Sequence, residues 1–159
     1  MVEKILWIAG FALLLGLSRI IPHPPNFTPI LAVAVFIPTL IKDQELEAIL
    51  VTLGAMFIGD LYWGLHSFMF WTYGSVILAV LFTALGYNIW INALTASVGF
   101  FVVTNFGVWA SGYYGLTFEG LVACYIAAIP FFTNTLLGTL FYVAIFKGIE
   151  HIHRRLVTA

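Results

Sequence analysis

Hydrophobic residues occupy this chain in long uninterrupted blocks, separated by short polar or proline-rich stretches. Blocks of about 20 apolar residues match the hydrocarbon thickness of a bilayer when they are helical. The first block predicts a helix over 5–21, and the second a helix over 29–41. Between them lie Pro22, Pro24, Pro25 and Pro29, which forbid regular helix. Thr28 followed by Pro29 has the form of an N-cap with proline at the first helical position. The second helix is short for a full span, so part of 22–29 is expected to enter the membrane. Irregular backbone at that depth is tolerated only where it is buried in protein or lines a cavity.

The dense charge run at 42–47 predicts a solvated loop. Later blocks predict helices over 48–65, 68–87, 93–112 and 121–148, the last interrupted at Pro130. Tyr87 and Trp90, with Asn88 and Asn92, suggest an interfacial turn. Residues 113–120, with Glu119, are expected to form a loop, and 150–159 a polar, basic tail. Ala12 and Gly16 form a small-xxx-small pair that would let another helix approach the first one closely, although small residues are common in membrane helices generally.

Composition sharpens this picture. The 159 residues are 62% hydrophobic and 8% charged, where soluble domains are about 25% charged. The mean hydropathy is +1.06. So few polar residues cannot cover a soluble domain, which leaves lipid as the solvent. The expectation is an all-α polytopic membrane protein with about six transmembrane helices in a single transmembrane domain over 1–159. Lys4 precedes the first block, but 18–22 offers no small-x-small cleavage site, so this block is expected to be retained as a helix rather than removed as a signal peptide.

The net charge of −1 implies no nucleic-acid partner. Cys124, the one cysteine, lies in an apolar run and is expected to be a small buried hydrophobe. Six helices would put Lys4, Lys42, Lys147, Arg154 and Arg155 on one side of the membrane and Arg19 on the other. The positive-inside rule then makes the termini and the loop between helices 2 and 3 cytoplasmic.

Ionisable residues in membrane segments are costly and are functional candidates for that reason. Arg19 and Asp60 are the two that lie in or at the end of a span. Both fall toward the outer side, where pairing would lower the cost of each. His23 and Asn26 in the proline-rich loop, His66 after the third helix, Asn105 with Trp109 one turn later, and Asn134 near mid-depth follow the same bias. Phe27, Tyr62, Trp63, Trp109 and Phe131 could line the walls of a shared pocket under 22–29. A mostly apolar pocket with a few placed polar groups has the character of a small-molecule site. The competing reading is an internal clamp, in which Arg19–Asp60 and the asparagines only join helices. His23 and His66 lie in no metal or heme motif, and His151 and His153 sit beside Arg154 and Arg155 in the tail, where solvent or lipid headgroups are the expected partners. No nucleophile–base pair, phosphate loop or Glu-x-x-His pattern is present, so neither enzyme activity nor a cofactor is expected.

The run Arg19-Ile20-Ile21-Pro22-His23-Pro24-Pro25-Asn26-Phe27-Thr28-Pro29-Ile30 resembles the opening motif of a family of small, uncharacterised bacterial integral membrane proteins. The resemblance extends to Gly59-Asp60-Leu61 with Gly64 and His66, to Phe101 with Thr104 through Trp109, and to Ile129-Pro130-Phe131-Phe132 with Asn134. The topology is also similar to that of substrate-binding S components of energy-coupling factor transporters. That resemblance implies a six-helix protein with cytoplasmic termini, a ligand held near the outer face under the loop joining helices 1 and 2, and a first helix that docks on a coupling subunit. No vitamin-specific motif is matched.

Two functions are therefore expected. One is a substrate-binding subunit of a small-molecule or vitamin importer, partnered by a membrane coupling subunit with an ATPase. The other is a structural or accessory subunit of a larger membrane complex. Proton-coupled transport through the one membrane carboxylate is a third and weaker reading.

Overall fold

The computed structural model describes residues 2–18, 21–40 and 45–157. Among the described residues the chain is all helix and connecting turn: α1 (Val2–Ser18), α2 (Ile30–Leu40), α3 (Glu45–Trp63), α4 (Met69–Thr83), α5 (Ile89–Ala110) and α6 (Phe118–Val157). Arg19, Lys42 and the rest of the 42–44 charge run lie outside the described residues.

α2 is the axis of the bundle. Ile30 through Pro38 are all buried, and α2 touches each of the other five helices. A helix that is apolar on every side belongs in a protein interior. Around it the contacts run from α1 to α3, α3 to α4, α4 to α5 and α5 to α6. Phenylalanines close the remaining seam. The Phe11 ring lies 4.9 Å from that of Phe146, and both rings pack on Phe36 of α2, at 5.8 and 5.4 Å. Past this contact, Leu6 and Gly10 of α1 share a groove with Ile149 and His153 of α6. The two helices are thus antiparallel there, and the described N- and C-terminal ends lie at the same end of the bundle.

The outer surface is apolar. Leu6, Leu13, Ile58, Phe70, Leu85 and Leu137 are among many large hydrophobic side chains exposed on it, and a surface so extensively apolar marks contact with a membrane or with other proteins. α3, α5 and α6 are each long and apolar enough to cross a membrane, whereas α2 and α4 are shorter apolar helices. At about 1.5 Å per residue, the 11-residue α2 covers about 16 Å, half the hydrocarbon thickness. Of the proline-rich segment before it, residues 22–26 are exposed, 27 and 28 are half-buried and Pro29 is buried. Buried hydroxyls on the helices are satisfied locally: Thr52 donates to the Ala48 carbonyl at 2.9 Å and Ser97 to that of Ala93 at 2.8 Å.

Several boundaries differ from the sequence expectation, each for a local reason. The first α2 backbone bond runs from Val33 N–H to Pro29 O at 2.8 Å, so the helix starts one residue later than 29. α5 starts at Ile89 rather than 93, because the Asn88 side chain caps it by accepting from Trp90 N–H at 2.9 Å. α6 starts at Phe118 rather than 121, because Thr117 Oγ1 accepts from Gly120 N–H at 3.1 Å. Glu119 therefore sits in the first turn of α6, where its charge suits the helix dipole, and not in a loop. Pro130 lies within α6 without ending it. The expected tail continues the same helix as far as Val157. Glu150 binds Lys147 and Arg154, each at 2.6 Å, through the i,i+3 and i,i+4 pairing that supports helices.

Candidate functional site

The site lies at the end of the bundle opposite the described termini, where α3 turns into α4 and the chain enters α2. Asp60 occupies the last turns of α3 and is 1% exposed. Gly64, at φ 105°, ends α3 by donating its N–H to the Asp60 carbonyl at 2.8 Å, in the left-handed conformation that glycine adopts without strain. The following turn returns His66 toward the same carboxylate, with Nε2 4.0 Å from Oδ2. From α4, the Tyr73 hydroxyl donates to Asp60 Oδ2 at 2.6 Å. This is the length of a charge-assisted bond, and such a donor lowers the cost of burying a carboxylate.

Asp60 and His66 line a cavity of about 160 Å³ together with Met56 of α3 and Thr72 of α4, and with Asn26, Thr28, Ile30 and Leu31 from the entry to α2. Phe100 of α5 and Thr135 and Thr139 of α6 complete the wall. Met56 and Asp60, four residues apart, share one face of α3. A second cavity of about 110 Å³ adjoins it, sharing Asn26, Phe100 and Thr135, and is lined by Thr104, Asn105 and Phe131 among others.

The proline-rich loop is anchored over this region by α6. Asn134 Nδ2 donates to the Pro25 carbonyl at 3.0 Å. Phe27 packs its ring 5.8 Å from Phe141 and 6.0 Å from Tyr142. Gly138 lets the loop backbone come close: a Cβ there would lie 3.2 Å from Phe27 Cα and 3.3 Å from Thr28 N. Asn26 takes φ 63°, a left-handed value tolerated by asparagine better than by most residues. Thr28 N–H closes onto the Asn26 carbonyl at 3.0 Å.

Of the sequence-derived candidates, the structure brings Asn26, Asp60 and His66 to one cavity. Asn105 lines the adjoining one, with Nδ2 donating to the Phe101 carbonyl at 2.7 Å. Asn134 holds the loop. Trp109 instead pins the α5–α6 connection, its Nε1 donating to Thr117 O at 3.1 Å. His23 is exposed, with Nδ1 2.8 Å from the Pro24 carbonyl, and does not line the cavity. Arg19, and with it the expected Arg19–Asp60 pair, lies outside the described residues. Cys124 is buried. Tyr73, Thr72, Thr135, Thr139, Met56 and Phe100 were not singled out by the sequence. The threonines carried no distinguishing signal, because threonine is ordinary in membrane helices, where its hydroxyl bonds the preceding turn.

Asp60 and His66 are the metal-ligating side chains at the cavity, and no group of three or more such residues gathers among the described residues. No curated protein and no solved structure is significantly similar to the chain. A profile of the family of unknown function DUF6580 matches residues 1–159, and the chain belongs to that family.

Proposed function

We propose that this chain is a substrate-binding membrane subunit of a small-molecule importer, holding its ligand in the Asp60 cavity beneath the 22–29 loop. The observation that carries this reading is the convergence of Asp60, His66 and Asn26 with threonines of α4 and α6 on one cavity under an anchored loop. A carboxylate buried in a membrane helix and facing a cavity is a functional site by default. At about 160 Å³, the cavity is below the roughly 300–1,000 Å³ of drug-sized ligand pockets. That size favours a compact ligand over a vitamin.

In this reading six helices span a bacterial inner membrane. Lys4, Lys147, Arg154 and Arg155 keep the termini cytoplasmic, so the cavity opens outward. The chain carries no phosphate loop, and movement of the ligand would draw on a membrane coupling subunit with an ATPase. The role is binding rather than catalysis.

A second reading, a structural subunit of a larger membrane complex, draws on the internal bonding of the same polar groups. Asp60 accepts from Tyr73, Asn134 donates to Pro25 and Asn105 to Phe101. A thermal-shift titration separates the two. The purified chain in lipid nanodiscs gains stability from fractions of a dialysable bacterial extract if it binds a small molecule. Thr139→Phe, which fills the cavity, abolishes that gain while helicity by circular dichroism is kept. A chain indifferent to every fraction favours the structural role.

A further inference from the structure

We infer that the groove between α1 and α6 binds an anionic phospholipid, with one acyl chain lying along the groove and the phosphate held at the basic end of α6. This site is separate from the Asp60 cavity, and it requires only that the chain lies in a bilayer.

The ring of helices around α2 is open at one seam. Each of α1, α3, α4, α5 and α6 packs on the next, but among the described residues no Cα of α1 comes within 8 Å of one in α6. Side chains bridge the gap, with the Phe11 and Phe146 rings 4.9 Å apart. Beside that pair runs a groove of about 380 Å³, walled by Leu6, Gly10 and Leu14 of α1 and by Ile149 and His153 of α6. Leu6 and Ile149 are 67% and 47% exposed, so the groove opens onto the apolar outer surface. A Cβ on Gly10 would meet nothing within 4 Å, so the wall is hollow there. Atoms lining an unfilled hollow lose their dispersion partners, and in a bilayer the nearest filler is an acyl chain. A helix is about 10–12 Å across and does not enter between walls whose rings meet at 4.9 Å, whereas a polymethylene chain does.

The charge at the end of the groove selects the headgroup. His153 lines the groove, and Arg154 and Arg155, both exposed, follow it in the last turn of α6. Over 147–157, Lys147, Arg154 and Arg155 stand against Glu150, three positive charges to one negative, which leaves +2. Glu3 and Lys4, at the start of α1, cancel. This excess draws an anion whichever carboxylate each guanidinium also meets. Arginine matches the oxygens of a phosphate with paired N–H donors, and basic pockets between helices at the cytoplasmic face are sites for acidic lipid headgroups. A zwitterionic headgroup carries its own cation and gains less from the excess.

The test reconstitutes the full chain in vesicles of equal parts dioleoylphosphatidylglycerol and dioleoylphosphatidylcholine, extracts it in mild detergent and quantifies the lipid that stays with it. About one phosphatidylglycerol per chain is expected, enriched at least about tenfold over phosphatidylcholine. Gly10→Phe, which fills the groove, should lose it. Gly54→Phe, at another exposed glycine with open space around it, should keep it. Arg154→Gln combined with Arg155→Gln adds no bulk and should remove the enrichment. Equal retention of the two lipids by the parent chain overturns the anionic class, as does enrichment that survives the loss of both arginines. Retention undiminished by Gly10→Phe, or lost equally in Gly54→Phe, overturns the groove as the site. Retention of neither lipid overturns the inference outright, and a dimer that Gly10→Phe separates would then place a second copy of the chain in the groove. Ligand binding in the Asp60 cavity is read separately, by the thermal-shift titration above.

Discussion

The Tyr73 hydroxyl donates to Oδ2 of Asp60 at 2.6 Å, tying α4 to α3 at a residue that lines the cavity. Hydrogen bonds to charged groups contribute about 1.5–3 kcal/mol. Tyr73→Phe should therefore lower the unfolding free energy by about that amount, measured by denaturant titration in detergent micelles or nanodiscs. A Tyr73→Phe chain as stable as the parent would mean that the carboxylate does not depend on this donor.

The anchoring of the loop on α6 makes a second prediction. Asn134→Leu removes the bond to the Pro25 carbonyl, and Gly138→Val puts a branched side chain where even a Cβ would lie 3.2 Å from Phe27 Cα. Both should raise amide hydrogen exchange over 22–29, Gly138→Val more strongly because it displaces backbone. Exchange there no faster than in the parent chain would contradict the anchoring.

How far the site was legible follows from these same residues. Depth along each helix can be read from sequence, and Asn26, Asp60 and His66, grouped by depth, line one cavity. Rotation about the helix axis cannot be read without knowing the neighbours. Asn105 and Trp109, one turn apart on α5, were expected to share the Asp60 pocket, yet one lines a side cavity and the other holds the α5–α6 turn. Tyr73 was hidden among the aromatic residues common in membrane helices. The helix count was legible because lipid demands long apolar blocks. The ends were not, because Asn88 and Thr117 caps fall in stretches that otherwise look like loop. The last turns of α6 were missed because polarity was taken for the end of the helix, when it supplies the Lys147–Glu150–Arg154 pairs.

Close helix packing supports a third prediction. A Cβ on Gly107 of α5 would fall 2.3 to 2.6 Å from the Trp71 indole of α4, and Trp71 also meets the Phe106 ring at 5.6 Å. Gly107→Ala should destabilise the chain by about 1–3 kcal/mol, the usual cost of overpacking. Trp71→Leu combined with Gly107→Ala should recover part of the loss. A recovery of nothing would mean that the two residues act independently.

Glu150 gives a contrasting case. Its partners Lys147 and Arg154 are 47% and 74% exposed at their side chains, so solvent and salt screen the pairs. Glu150→Gln should cost less than about 1 kcal/mol, and less still at high ionic strength. A larger loss in the denaturation midpoint would show that the pairs do more than support the last turns of α6.

The central claim is that the Asp60 cavity holds a small molecule, and native mass spectrometry of the chain released from detergent tests it most directly. The account predicts a stoichiometric adduct on the parent chain. That adduct should be absent from Asp60→Asn and Thr139→Phe chains that remain helical. A parent chain that flies without any adduct, or an adduct unchanged by both substitutions, would contradict it.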